Sequence, residues 1–114
     1  IVQLCDMIAS AGVEVTGIGT GRLSIKGTNG VPLLYPEAIE IIPDRIEAGT
    51  YLCAGAITKS EITIKKINQE HIQSSIDKLE SMGCSFSLDG DSVTIHPTQT
   101  LKPVNLITTE YPGF

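Results

Sequence analysis

Asp44, Arg45 and Glu47 form the densest cluster of groups in this 114-residue chain that could handle an anion or move a proton. One reading makes them helix-start chemistry. An Asp can accept backbone N–H groups, and an acid three residues on has capping-box spacing. Acids in a first turn also oppose the helix dipole. The other reading makes them the edge of a binding site, with Arg45 near a substrate or a mobile loop. Gly17, Gly19 and Gly21 suggest a phosphate cradle, but a dinucleotide fingerprint needs Gly at position 22, where Arg22 stands. It also needs a helix next, and the pattern that follows is a strand. The loop therefore reads as a hairpin turn with permissive glycines. His71 and His96 have no ligand spacing and read as surface residues. No Ser/His/Asp arrangement and no pair of catalytic carboxylates can be argued. Cys5, Cys53 and Cys84 are too far apart for metal-ligand spacing, and an odd count leaves one thiol unpaired. None has a neighbouring Lys, Arg or His, so all three read as small buried hydrophobes in a reducing compartment, the cytoplasm.

These residues must be carried by a mixed α/β framework. Ile1, Leu4, Cys5 and Ile8 recur at helical spacing, so residues 1–11 read as an amphipathic helix ended by Gly12. Val13–Val15 and Leu23–Ile25 alternate and pair as a hairpin. Residues 27–37, with Gly27, Asn29, Gly30, Pro32 and Pro36, are a connection. Ile39–Ile42 reads as a strand stopped by Pro43. The helix over 45–57 is apolar nearly all round (Ile46, Tyr51, Leu52, Cys53, Ala54, Ala56, Ile57), which predicts a buried helix. Residues 61–67 alternate as a strand. Asn68 caps a third helix over 69–82, whose stripe is Ile72, Ile76, Leu79 and Met82. Ser85–Leu88 and Val93–Ile95 flank the Asp89-Gly90-Asp91 turn signal. Val104–Thr108 is a last strand.

The order helix, glycine, strand, turn, strand occurs twice. Gly12 matches Gly83 at an offset of 71, which also pairs Ile8 with Leu79, Val13 with Cys84 and Val15 with Phe86. With one residue fewer in the second turn, Leu23 and Ile25 match Val93 and Ile95. A repeat of this size governs the fold reading. The unit reads as β-α-β-α-β-β over residues 39–95. Residues 1–38 are then the second half of one unit plus a connection, 39–103 a complete unit, and 104–114 the start of the next, all in one partial domain. A wholly apolar helix in such a unit must be wrapped by helices of sibling units. The chain opens in mid-helix at Ile1 and stops at a turn, so it reads as a piece of a longer protein.

With 8 Lys+Arg against 13 Asp+Glu the formal charge is −5. That balance argues against nucleic acid, whose phosphates need a basic stripe. An apolar fraction of 41% is too high for a disordered segment. No apolar run approaches the ~20 residues of a membrane span, and no basic segment leads into a short apolar core with a cleavage site, so these residues are not expected to hold a signal peptide. A compact chain of this size buries roughly two-thirds of its unfolded surface, enough for a modest core.

The run Pro43-Asp44-Arg45-Ile46-Glu47-Ala48-Gly49-Thr50, ahead of an Ala-rich helix, resembles the enolpyruvyl transferases, and within them the UDP-N-acetylglucosamine 1-carboxyvinyltransferases of peptidoglycan synthesis. Lys78-Leu79 ahead of Gly83, Lys102-Pro103-Val104-Asn105 and Tyr111-Pro112-Gly113-Phe114 add to the resemblance, which covers essentially the whole chain but only about a quarter of such an enzyme. The resemblance implies an inside-out α/β barrel of two domains, each of three repeated units. It implies transfer of the enolpyruvyl group of phosphoenolpyruvate to the 3′-hydroxyl of UDP-N-acetylglucosamine, with release of phosphate and no cofactor or metal. It also implies a reactive loop Cys, anchoring Lys and Arg groups, and an Asp acting as general base. The Cys would lie upstream of Ile1 and the Asp three residues beyond Phe114, so the 114 residues alone are expected to be inactive. Asp44, Arg45 and Glu47 match a family motif near the interdomain cleft and are the candidate substrate-binding residues. The expected partners are the two substrates and the remaining repeat units of the same chain. The alternatives are a shikimate-pathway enolpyruvyl transferase, against which the Pro-Asp-Arg-Ile-Glu and Tyr-Pro-Gly-Phe runs argue, and a non-catalytic interaction module with the same fold.

Overall fold

The computed structural model describes residues 1–34 and 38–108. The Tyr111–Phe114 run lies outside the described residues. The chain divides into two compact units, Ile1–Ile42 and Pro43–Phe114.

In the first unit, helix α1 (Val2–Ser10) leads into strands β1 (Val15–Thr16) and β2 (Ser24–Ile25). The strands pair antiparallel, Val15 opposite Ile25 and Thr16 opposite Ser24. Cys5, Ala11 and Val13 are the buried hydrophobic residues of this unit among those described. Each strand is only two residues long because the Gly17–Gly21 loop supplies few side chains that could pack on a sheet face. Ile39–Ile42 forms no strand. A strand needs a backbone partner, and none runs beside this segment among the described residues.

The second unit runs α2 (Arg45–Thr58), β3 (Ile62–Ile64), α3 (Gln69–Ser81), β4 (Ser85–Asp89) and β5 (Ser92–His96). Its sheet has the order β3-β5-β4, antiparallel throughout. The Asp-Gly turn makes β4 and β5 a hairpin, and β5 lies in the middle. Ile76, Leu79 and Ile72 from α3 meet Ala48, Leu52 and Ala56 from α2 over Val93 and Ile95 of β5. Gly55 lets α2 sit close to the sheet, since a Cβ there would lie 2.6 Å from Cγ2 of Ile95. Strand β3 stops at Ile64 rather than Ile67 because Lys66 turns through φ 57°. That turn sends Ile67 into the core, where its N–H bonds the Asp91 carbonyl at 2.9 Å.

A second expected strand is absent among the described residues. Residues 104–108 form no strand, and Leu106 and Ile107 are exposed. Here too no strand lies alongside among the described residues. Instead this part of the chain is tied to the end of α3: the Lys102 N–H bonds the carbonyl of the C-cap Met82 at 2.9 Å, and Lys78 Nζ donates to the Asn105 carbonyl at 3.3 Å. Helix α2, expected to be wrapped by helices of sibling units and to leave surface exposed without them, buries here only the face of Ala48, Leu52, Gly55 and Ala56. Ile46, Tyr51 and Ile57 are 50%, 52% and 76% exposed, and Cys53 is exposed too. The sheet and α3 cover one side of α2, and no element of the same unit covers the other among the described residues.

The offset of 71 carries through to backbone bonding. Gly12 and Gly83 both take positive φ, 95° and 105°, the left-handed turn after a helix that glycine adopts without strain. Gly12 N–H bonds Ala9 O and Gly83 N–H bonds Glu80 O. One residue on, Val13 N–H bonds Ile8 O and Cys84 N–H bonds Leu79 O. The hairpins agree as well: Val15 faces Ile25 as Phe86 faces Ile95, and Thr16 faces Ser24 as Ser87 faces Thr94.

Candidate functional site

Asp44 lies at the N-cap of α2 with extended backbone (φ −78°, ψ 107°), and one carboxylate oxygen accepts the N–H groups of Ile46 at 2.7 Å and Glu47 at 3.2 Å. Those are the donors a helix start leaves without intrahelical partners. Arg45 is the first helical residue and half-buried, while Glu47 is exposed in the first turn. The structure thus brings the three together at one helix terminus, with Asp44 engaged in capping. Asp44→Ala is expected to lower stability by about 1 kcal/mol, and Asp44→Asn by much less because Asn also caps. The urea midpoints of the two variants measure this.

The other glycine-rich candidate holds no open cradle. Thr20 Oγ1 bridges the carbonyls of Gly17 and Arg22 at 2.8 and 3.0 Å and accepts the Arg22 N–H at 3.2 Å. Thr20 N–H is spent on the Gly17 carbonyl. The N–H groups of Thr20 and Arg22 and the Thr20 hydroxyl are thus used within the turn.

The thiols are all free. Cys5 and Cys84 are buried as expected, but Cys53 is exposed on the uncovered face of α2. Burial pushes the Cys84 thiol above its ordinary pKa; a hydrogen bond with the Thr98 side chain works against this, and neighbouring Cys53 adds to it. A thiol held protonated in this way is a poor nucleophile. No group of three or more His, Cys, Asp or Glu side chains could hold a metal ion among the described residues.

One constellation was missed. His71 sits beside its helix cap, its Nε2 3.3 Å from Asn68 Nδ2. His96, read as isolated, is not. Its Nε2 is 2.7 Å from Ser87 Oγ and its Nδ1 is 3.1 Å from Glu61 Oε2. The three come from the middle strand, the β4 edge and the residue before β3. The signal was available in the sequence: the Asp-Gly turn fixes the hairpin register, which puts Ser85 opposite His96 and Ser87 on its diagonal. The contribution of Glu61 required the β3–β5 pairing, Ile62 opposite Ile95.

No helix is long and apolar enough to cross a membrane among the described residues. The family model for EPSP synthase (3-phosphoshikimate 1-carboxyvinyltransferase) matches residues 1–114. Over the same 114 residues the chain is 69% identical to the UDP-N-acetylglucosamine 1-carboxyvinyltransferase of Sulfurovum sp. (strain NBC37-1), 53% to that of Campylobacter lari and 52% to that of Sulfurimonas denitrificans. In each case all of this chain and 27% of the relative is covered, so the chain spans about a quarter of the length of the curated relatives it matches. With its whole length matched in this way, the chain belongs to the EPSP synthase family of enolpyruvyl transferases.

Proposed function

We propose that these 114 residues are part of an enzyme that transfers the enolpyruvyl group of phosphoenolpyruvate to the 3′-hydroxyl of UDP-N-acetylglucosamine and releases phosphate. The observation carrying this reading is the 69% identity, unbroken in extent over the chain, to a relative named for that activity. The step feeds peptidoglycan synthesis, and we place it in the cytoplasm, a setting that three free thiols support.

In this reading the chain is one and a half β-α-β-α-β-β units of an inside-out α/β barrel. Residues 1–38 close one unit, 39–103 make the next, and 104–114 open a third. Ile39–Ile42 and Val104–Thr108 then find strand partners in the rest of the barrel, and the uncovered face of α2 meets helices of sibling units. The recurring helix ends and hairpin registers at an offset of 71 support this arrangement. The reactive Cys and the general-base Asp lie outside these residues. Asp44, Arg45 and Glu47 border the substrate cleft, Arg45 offering its guanidinium to an anionic group while Asp44 holds the helix start that aims it.

The test is phosphate release by the full-length protein. Release from phosphoenolpyruvate is expected with UDP-N-acetylglucosamine, and none with the 114 residues alone. Release with shikimate 3-phosphate instead would favour the other activity named by the family model. Arg45→Ala is expected to cost at least about tenfold in kcat/KM, roughly the 1.4 kcal/mol or more of one charge-assisted contact. Unchanged turnover would leave the cluster with its capping role only.

A further inference from the structure

The Ser87–His96–Glu61 relay lies outside the candidate site, and its geometry is that of a nucleophile, a base and an orienting acid. We propose that Ser87 is an activated hydroxyl that accepts acyl groups from small activated esters, with His96 as the general base and Glu61 as a positioning residue.

Three features carry this. The first is distance: 2.7 Å from Ser87 Oγ to His96 Nε2 and 3.1 Å from His96 Nδ1 to Glu61 Oε2 both fall within the range that supports proton transfer. The second is the proton order. A carboxylate only accepts, so Glu61 selects the tautomer with hydrogen on Nδ1, and the free lone pair of Nε2 then accepts the Ser87 O–H. The third is access. Ser87 is exposed while the His96 side chain is 35% exposed, so the base is partly sheltered and the nucleophile is open.

The step balances without another reactant. Ser87 Oγ attacks the ester carbonyl carbon and passes its proton to His96 Nε2. The bond from that carbon to the alkoxy or aryloxy oxygen breaks, and the leaving group takes the electron pair and then the proton from His96. The product is O-acyl-Ser87. The relay sits on an open sheet face, so it selects donors for reactivity rather than shape.

The experiment uses the full-length protein with p-nitrophenyl acetate as the probe, followed by peptide mapping. One acetyl group is expected on the Ser87 peptide and none there in Ser87→Ala. His96→Gln should slow labelling at Ser87 by about 100-fold or more, the lower end of what a positioned base contributes. Glu61→Gln should slow it less, with Glu61→Asp recovering part of the rate, while the urea midpoints of all four variants stay near the parent value. A Ser87 peptide that stays unlabelled overturns the proposal, and so does labelling at an unchanged rate in His96→Gln. The readout is independent of transferase activity, so it stands whether or not that reading holds.

Discussion

Leu52→Ala is expected to destabilise the Pro43–Phe114 unit by about 3–5 kcal/mol. Leu52 is fully buried on α2 and belongs to the cluster formed with α3 and the middle strand. Truncation removes the transfer free energy of the lost methyl groups and leaves a cavity. The helix backbone on one side and the sheet on the other are both fixed by hydrogen bonds, so neither can move in to fill it. A domain's whole stability is about 5–15 kcal/mol, so the loss is a large share of it. Ile57→Ala, on the uncovered face of the same helix, should stay within about 0.5 kcal/mol. Urea unfolding of the 114-residue chain followed by circular dichroism reads both. Similar midpoint shifts for the two variants would mean that α2 does not bury the face described.

The second large effect comes from a pair of glycines in the same helix, where one substitution has opposite signs. Alanine is favoured over glycine in a helix interior by about 1 kcal/mol. At Gly49 the new Cβ would lie 3.5 Å from Ser75 Oγ, an ordinary contact, so Gly49→Ala should stabilise by roughly that amount. At Gly55 it would lie 2.6 Å from Ile95 Cγ2 and 3.4 Å from Ile62 Cδ1 and the Ser60 carbonyl. Ile95 is fully buried in the central strand and its Cγ2 branches directly from Cβ, so it cannot swing aside. Overpacking of this kind costs about 1–3 kcal/mol and exceeds the propensity gain. Thermal midpoints moving up for Gly49→Ala and down for Gly55→Ala are the expected result. A rise for both would show that α2 stands further from the sheet.

The elements that could be read from the sequence are those whose instructions are local. Asp44 and Asn68 announced their helices, and both cap them, each side chain accepting a backbone N–H two residues ahead. The Asp-Gly turn announced the β4–β5 hairpin and its register. Ile39–Ile42 and Val104–Thr108 form no strand among the described residues for the opposite reason. Alternation states that a segment can face two ways, but the backbone partner must come from elsewhere. The apolar circumference of α2 was similarly ambiguous, since composition records what a helix could bury and not what lies against it. Of the reactive groups, Asp44, Arg45 and Glu47 are adjacent in sequence and needed only a helix boundary to be placed. Glu61, Ser87 and His96 come from three separate strand regions, so their meeting depends on pairing between β3 and β5, a long-range fact.

The matched junctions at Ile8–Val13 and Leu79–Cys84 show how such a module can be copied. Each reversal from helix to strand is written in half a dozen consecutive residues by main-chain geometry and a single glycine, with one further bond to each from later in the chain, from the Leu34 N–H to the Ala11 carbonyl and from the Lys102 N–H to the Met82 carbonyl. A gene segment encoding it can therefore be duplicated and its side chains left free to drift, because every descendant brings its own folding grammar.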